Sequence, residues 1–461
     1  MTHQTYAEEI AAFTADLTID DVPEEVTERA RLHALDALGI ALASSTTDFG
    51  TAIHQAARQL GTGDDAGVVG FPTRLPAASA ALANGTLIHG LDFDDTHIGA
   101  VHHATAPALA TALAVAEEHR STGQEALLAY VIGLEIGCRL AGAVPGELHD
   151  RGFHPTGIMG TFAAVAVAAR LRKLDPAAAV RALGLAGSQA AGILEINGSW
   201  LKRLHPGWAA HSGIVAATMG AAGFAGPATV LEGAHGVYQA HVGRVPDRAE
   251  TGLDTLGSRW ATTEIALKPY PCCHFTHAFI DAALAVRDEL HRRGARVSEI
   301  ACIEAPTSER LLHQVTEPRE SKIAPRTIYD ALFSIQYATA LALVTGRVDL
   351  AAFYDERYDD PEVLSLAAKV TCPVDRRSDY PAHFPGEVII RLGDGTTVAR
   401  RVPASRGTPD NPLTTAEVVA KFMTTAGRAV PQGQADTIAA IVLALDKEPD
   451  LGNLVKALTR S

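Results

Sequence analysis

Three histidines stand at equal intervals of 51 residues, His103, His154 and His205. Each leads into a run of small residues: ATAPALATALAVA, PTGIMGTFAAVAVAA and PGWAAHSGIVAATMGAA. Proline suits the first helical turn, so the three read as helix starts. Unpaired N–H groups at such ends attract anions, and a neighbouring imidazole adds a hydrogen bond or a proton. If the ends converge, they make an anion site without a basic protein; taken singly, each histidine would only cap its helix or pack at a loop.

Two further segments concentrate polar groups in apolar sequence. Gly90-Leu91-Asp92-Phe93-Asp94-Asp95-Thr96-His97 places three carboxylates and a histidine at a helix end. Crowded carboxylates raise one another's pKa, which suits acid or base work; alternatively they hold a divalent metal or cap the next turn. Lys202-Arg203-Leu204-His205 brings positive charge just ahead of the third helix start. Lys268-Pro269-Tyr270-Pro271-Cys272-Cys273-His274-Phe275-Thr276-His277 is stiffened by two prolines and again sets histidines beside a helix start. Its vicinal cysteines lack zinc-site spacing and are expected to be buried small apolar groups. Phosphate-loop, dinucleotide, nucleophile-elbow and HExxH motifs are missing.

The elements that must position these groups are mostly helices. Apolar residues recur at three- and four-residue spacing over Glu24 to Ser44, Pro76 to Leu91, Pro107 to Arg120, Gln124 to Ala143, Pro155 to Leu174, Pro176 to Gly192 and Trp208 to Phe224. Many of these positions are Ala or Gly, which permits close helix-to-helix approach. From about Lys268 the texture changes. Val297 to Ala305 and Ala368 to Val374 read as strands, Glu387 to Val402 as a hairpin about Gly393-Asp394-Gly395, and Ile328 to Thr345 and Pro361 to Ala367 as helices. Helix returns after Thr414, with Thr415 as N-cap. The expected domains are therefore 1–267, helical; 268–403, α/β; and 404–461, returning to the first.

The chain has 461 residues, 47% hydrophobic and 20% charged, with a formal charge of −14. That suffices for a large core, excludes wholesale disorder, and argues against a nucleic-acid partner, which wants a basic face. Glu8 and Glu9 stand where a signal peptide would be basic, and the five cysteines are scattered, so a reducing cytoplasm is expected. The longest uncharged stretch, Leu204 to Leu231, contains Pro206, His211 and Pro227 and reads as a buried helix ending near Gly226, not a membrane span.

Taken together and in order, GLDFDDTH (90–97), GFHPTGIMGTFAA (152–164), LKRLHPGWAAHSG (201–213) and KPYPCCHFTHAFIDA (268–282) closely resemble the MmgE/PrpD family. That family includes 2-methylcitrate dehydratases, cis-aconitate decarboxylases and an iminodisuccinate epimerase. The resemblance implies a mainly α fold, a large all-helical domain formed by both chain ends with a smaller α/β lid domain inserted, usually as a homodimer. By similarity to the decarboxylase branch, the catalytic residues would be Asp92, Thr96, His102, His154, Lys202 and His277. Many relatives have His-Pro after the aspartate motif where this chain has His102-His103-Ala104; spacing from Thr96 favours His102, whereas comparison of helix starts picks His103. His103, Arg203, His205, Lys268 and His274 are expected to contact substrate.

The implied activity is a cofactor-independent lyase on a small tricarboxylate, moving a proton at a carbon next to a carboxylate. Lys202 and His154 would hold carboxylates, His102 or Asp92 would exchange the proton, Thr96 would orient it, and lid closure would bring 268–277 onto the substrate. An epimerase of a dicarboxylate such as iminodisuccinate and a non-catalytic anion-binding scaffold are the alternatives. No metal, nucleic-acid or membrane partner is expected.

Overall fold

The computed structural model describes residues 4–196, 199–355 and 358–460, and these divide into two compact units, Met1–Ile265 with Thr414–Ser461, and Ala266–Leu413. In chain order the helices and strands used below are α1 (Glu24–Ser44), α2 (Ala77–Ile88), α3 (Thr105–Glu118), α4 (Gly123–Gly142), α5 (Pro155–Leu171), α6 (Pro176–Ala186), α7 (Leu201–Ala221), α8 (His277–Arg293), β1 (Ile300–Glu304), α9 (Ile328–Leu332), α10 (Ile335–Thr345), α11 (Pro361–Ala367), β2 (Val370–Thr371), β3 (Gly386–Leu392), β4 (Thr397–Val402) and α12 (Thr415–Ala426). Helix predominates, and the fold is mainly α. Among the described residues no helix is long and apolar enough to cross a membrane.

The larger unit is a bundle in which α2, α3, α4, α5 and α7 are buried along most of their length. Small residues make this possible. At the crossing of α2 and α7, a Cβ on Gly85 would lie 2.7 Å from the Gly207 Cα, and one on Gly207 would lie 2.2 Å from the Leu82 carbonyl oxygen. The two backbones therefore touch, with no side chain between them. A Gly207→Ala variant is expected to lose about 1–3 kcal/mol of stability through overpacking, read as a lower urea midpoint. An unchanged midpoint would show that the crossing can relax. The tail returns to this unit: Phe422 of α12 is fully buried in its core with Leu38, Ala41 and Leu42 of α1.

The smaller unit holds a four-stranded sheet in the order β2-β1-β3-β4, parallel between β1 and β2 and antiparallel elsewhere. Helix α8 packs on it closely, since a Cβ on Gly386 would sit 2.7 Å from the Phe279 amide nitrogen. Residues 404–413 lie in this unit: Gly407 exchanges backbone hydrogen bonds with Leu267 and Asn411, and the Arg406 amide donates to Asp281 at 2.9 Å.

Several expected boundaries shift for identifiable reasons. The third histidine-led helix begins at Leu201 and ends at Ala221, so His205-Pro206 lies inside it; proline there forfeits one backbone hydrogen bond without ending the helix. Helix α3 starts two residues before Pro107. The 328–345 stretch is two helices, because Ser334 stops and recaps the chain, its Oγ accepting from the Tyr337 amide at 2.9 Å. Thr414, not Thr415, caps α12, in a reciprocal box with Glu417. Val297–Glu299 is a 3₁₀ turn ahead of β1.

Candidate active site

The backbone crossing of α2 and α7 sets the site. It holds the C-terminal end of α2, where His89 is the C-cap, beside the first turns of α7, which carry Lys202, Arg203 and His205. Helix α5 adds His154 at its N-cap, followed by Pro155 at N1. The segment from His89 to His103 runs between α2 and α3. Within it Asp92 adopts a left-handed conformation, φ +50°, which Asp tolerates better than most residues. A short antiparallel bridge pairs His97 with His102.

These elements bring four imidazoles and a cation together, all buried. Ring centroids lie 4.5 Å apart for His89 and His103, 5.7 Å for His89 and His154, 5.7 Å for His103 and His154, and 5.1 Å for His154 and His205. Lys202 Nζ donates to Asp92 Oδ1 at 2.9 Å. Arg203 Nε donates to the Gly90 carbonyl at 2.6 Å, and its guanidinium lies 4.4 Å over the Phe49 ring, so its planar group is spent on fixing the loop.

Each imidazole is oriented through Nδ1. His89 Nδ1 meets both oxygens of Asp94, at 2.8 and 2.9 Å. His103 Nδ1 lies 2.7 Å from the Asp95 carbonyl and 3.3 Å from Thr96 Oγ1. A carbonyl only accepts, so His103 carries its proton on Nδ1, and in the neutral ring Nε2 bears the lone pair. His154 Nδ1 and His205 Nδ1 are 3.0 Å apart, an arrangement that requires one ring to donate to the other.

The acidic segment is itself anchored from both ends of the chain. Asp95 accepts from the Thr105 amide at 3.2 Å and from the Thr105 hydroxyl, and His33 Nδ1 lies 3.0 Å from its Oδ2. Burial pushes the Asp95 carboxyl up, but His33 and Thr105 outweigh it and hold it below the ordinary value. Lys421 of α12 donates to the Phe93 carbonyl at 2.8 Å and pairs with Asp36 at 2.8 Å. Burial raises the Asp36 carboxyl to about 6 despite that pairing.

His102 points elsewhere. Fully buried, its Nε2 lies 2.7 Å from where a Cβ on Gly137 would stand, with Ala163 beyond, and neither ring nitrogen has a hydrogen-bond partner among the described residues. Burial lowers its pKa to about 3, lowers His205 to about 4 with help from Lys202, and lowers His154 well below the usual imidazole value. Such rings bind fewer protons folded than unfolded once pH drops below 6.5. Their stabilisation is therefore complete above pH 6.5 and is lost as pH falls toward 4, by about 1.4 kcal/mol per pH unit for each ring. Urea midpoints at pH 7, 6 and 5 are expected to fall accordingly; a flat profile would mean that the rings already bind protons in the fold.

Two MmgE/PrpD domain models match the chain, the N-terminal domain over residues 8–249 and the C-terminal domain over residues 270–447. The chain belongs to the MmgE/PrpD family. Within the family it is 28% identical to a cis-aconitate decarboxylase of Aspergillus terreus over 470 residues, 98% of this chain and 95% of that protein. It is 27% identical to the human cis-aconitate decarboxylase over 464 residues, 99% of this chain and 95% of that protein. A mitochondrial 2-methylcitrate dehydratase of Yarrowia lipolytica is 26% identical over 187 residues, 37% of this chain and 34% of that protein.

Of the residues singled out from sequence, Asp92, Thr96, His103, His154, Lys202, Arg203 and His205 fall in or directly around this one cluster. His102 does not, although it was the preferred reading of the His-His pair. His89 was overlooked, because the family motif was read from Gly90 onward. Lys268, His274 and His277 lie in the smaller unit and are all buried there; the two rings are 4.6 Å apart and His277 Nε2 is 3.2 Å from the Cys272 carbonyl. Cys272 and Cys273 are buried as expected, with Cys272 Sγ 3.2 Å from Thr276 Oγ1.

Proposed function

We propose that this chain is a lyase acting on a small tricarboxylic acid, of the decarboxylase type named for its full-length relatives, with dehydration of a 2-methylcitrate-type acid as the other outcome of the same chemistry. The observation that carries the reading is the pinned imidazole of His103. With Nδ1 held on the Asp95 carbonyl at 2.7 Å, Nε2 is the atom that takes up or gives a proton, and the carbonyl stays satisfied in both states.

In decarboxylation the bond to one carboxylate breaks, CO₂ leaves, and the electron pair spreads over the adjoining carbon and a remaining carboxylate until protonated His103 returns a proton to carbon. In dehydration neutral His103 removes the proton from carbon and passes it to the departing hydroxyl, which leaves as water. Both routes pass through extra negative charge on a carboxylate. Lys202, set against Asp92, and His154, paired with His205, are placed to hold it, and burial strengthens both interactions. Thr96 Oγ1, 3.3 Å from His103 Nδ1, helps hold the ring and acts on the exchanged proton only through that orientation. The reaction needs no cofactor. We further read the protein as a cytoplasmic homodimer without a nucleic-acid partner, a reading supported by its net charge of −14 and the family resemblance; light scattering tests the dimer.

Incubating the purified protein in D₂O with a panel of di- and tricarboxylates decides the activity. Release of CO₂ with one deuterium gained at carbon is the expected result. An unsaturated product without CO₂ would assign dehydration, deuterium exchange with inverted configuration would assign an epimerase, and no change in any acid would overturn the lyase.

A further inference from the structure

The proton-transfer cluster is also built like a ligand set for a transition metal. His89, His103 and His154 are buried, and each offers a ring nitrogen, the three nitrogens lying within 4.8 Å of one another. Proximity of imidazoles alone means little. Histidines that bind metals characteristically present one nitrogen while the other donates to a carboxylate, a backbone carbonyl or another fixed acceptor, which sets the tautomer and aims the ring. Two of the rings have that support, His89 Nδ1 on the Asp94 carboxylate at 2.8 Å and His103 Nδ1 on the Asp95 carbonyl at 2.7 Å, and His154 Nδ1 faces His205 Nδ1 at 3.0 Å, where one ring donates to the other. With Nδ1 of His89 and His103 engaged in this way, Nε2 is the nitrogen those two rings have for a metal, and His154 joins them through Nε2 when its Nδ1 donates to His205.

Charge favours a cation at this place too. Asp92 and Asp94 each have an oxygen within 4.8 Å of a His89 ring nitrogen, so two carboxylates lie at the His89 edge of the three-histidine set, and Asp94 polarises that ring. Three imidazoles with an open fourth position suit Zn²⁺, with Zn–N distances of about 2.0–2.1 Å reached by small ring rotations. A nitrogen set of this kind discriminates against Mg²⁺ and Ca²⁺, which prefer oxygen.

We propose that His89, His103 and His154 form a binding site for a zinc-type divalent cation and that its occupancy inhibits the enzyme. The inhibitory half rests on the proposed lyase mechanism, since the metal would take Nε2 of His103 and the ring of His154; the binding half does not.

Cobalt serves as the probe on the full-length protein after chelator treatment. The expected result is saturable binding of one Co²⁺ with the intense visible bands of a four- or five-coordinate site, loss of those bands in His89→Ala, and their retention in His102→Ala. Zn²⁺ is expected to inhibit turnover in competition with the tricarboxylate, and Mg²⁺ is not. X-ray absorption at the zinc edge of the loaded wild-type protein, which needs no variant to fold, is expected to show three imidazoles. Absence of the Co²⁺ bands, their persistence in His89→Ala, or a zinc spectrum without three imidazoles would each overturn the site. Zinc bound without effect on turnover would overturn the inhibitory half. A protein inactive on every tricarboxylate but showing the cobalt bands would remove the lyase reading and keep the site.

Discussion

Replacing Lys202 by alanine is expected to lower kcat/KM on the tricarboxylate about 10²–10³-fold, the effect of deleting one preorganised charge from a water-poor site. Two losses combine. The ammonium that the proposed mechanism sets against developing carboxylate charge disappears, and Asp92 is left buried, in its left-handed conformation, with its Lys202 partner gone from 2.9 Å away. Breaking a buried pair in this way costs about 3–5 kcal/mol of stability, so the melting temperature is expected to fall as well. The double variant Lys202→Ala with Asp92→Asn separates the two, recovering stability without recovering turnover. Full turnover in Lys202→Ala would remove the electrostatic part of the mechanism.

The second large effect distinguishes neighbours. His103→Gln is expected to lose about 10²–10⁴ in kcat/KM, the range for a general acid or base, while His102→Leu keeps it. His102 is a core residue: its ring fills space against Gly137, with two polar atoms that have no hydrogen-bond partner among the described residues. An apolar side chain of similar size relieves that cost, so His102→Leu is expected to be as stable as the parent at pH 7, or more so, and less sensitive to acid. Activity lost in His102→Leu and kept in His103→Gln would invert the assignment.

Why the sequence could not choose between these two is a matter of parity. Adjacent residues of an extended segment point to opposite sides, so only one of His102 and His103 can face the cluster. The choice is fixed by the bridge between His97 and His102, a tertiary pairing that no local pattern announces. The helices themselves were legible because their Ala- and Leu-rich periodicity is strong, and His154-Pro155 does open α5. His205-Pro206 does not open a helix, since α7 runs through it from Leu201 at the loss of one backbone hydrogen bond, yet the histidine still reaches the cluster because the crossing at Gly85 and Gly207 carries the first turns of α7 there. His89 had a detectable signal after all: it directly precedes the acidic motif, five residues from the Asp94 that orients it.

The anchoring of the acidic segment by Lys421 has a consequence for biosynthesis. Phe93 leaves the ribosome 328 residues ahead of the lysine that will grip its carbonyl. At about 5–20 residues per second, that leaves a nascent chain waiting roughly 16 to 66 s with the loop between α2 and α3 lacking this clamp. A chain stopped short of α12 lacks Lys421, and is expected to leave the Phe93 carbonyl and the buried Asp36 without this partner.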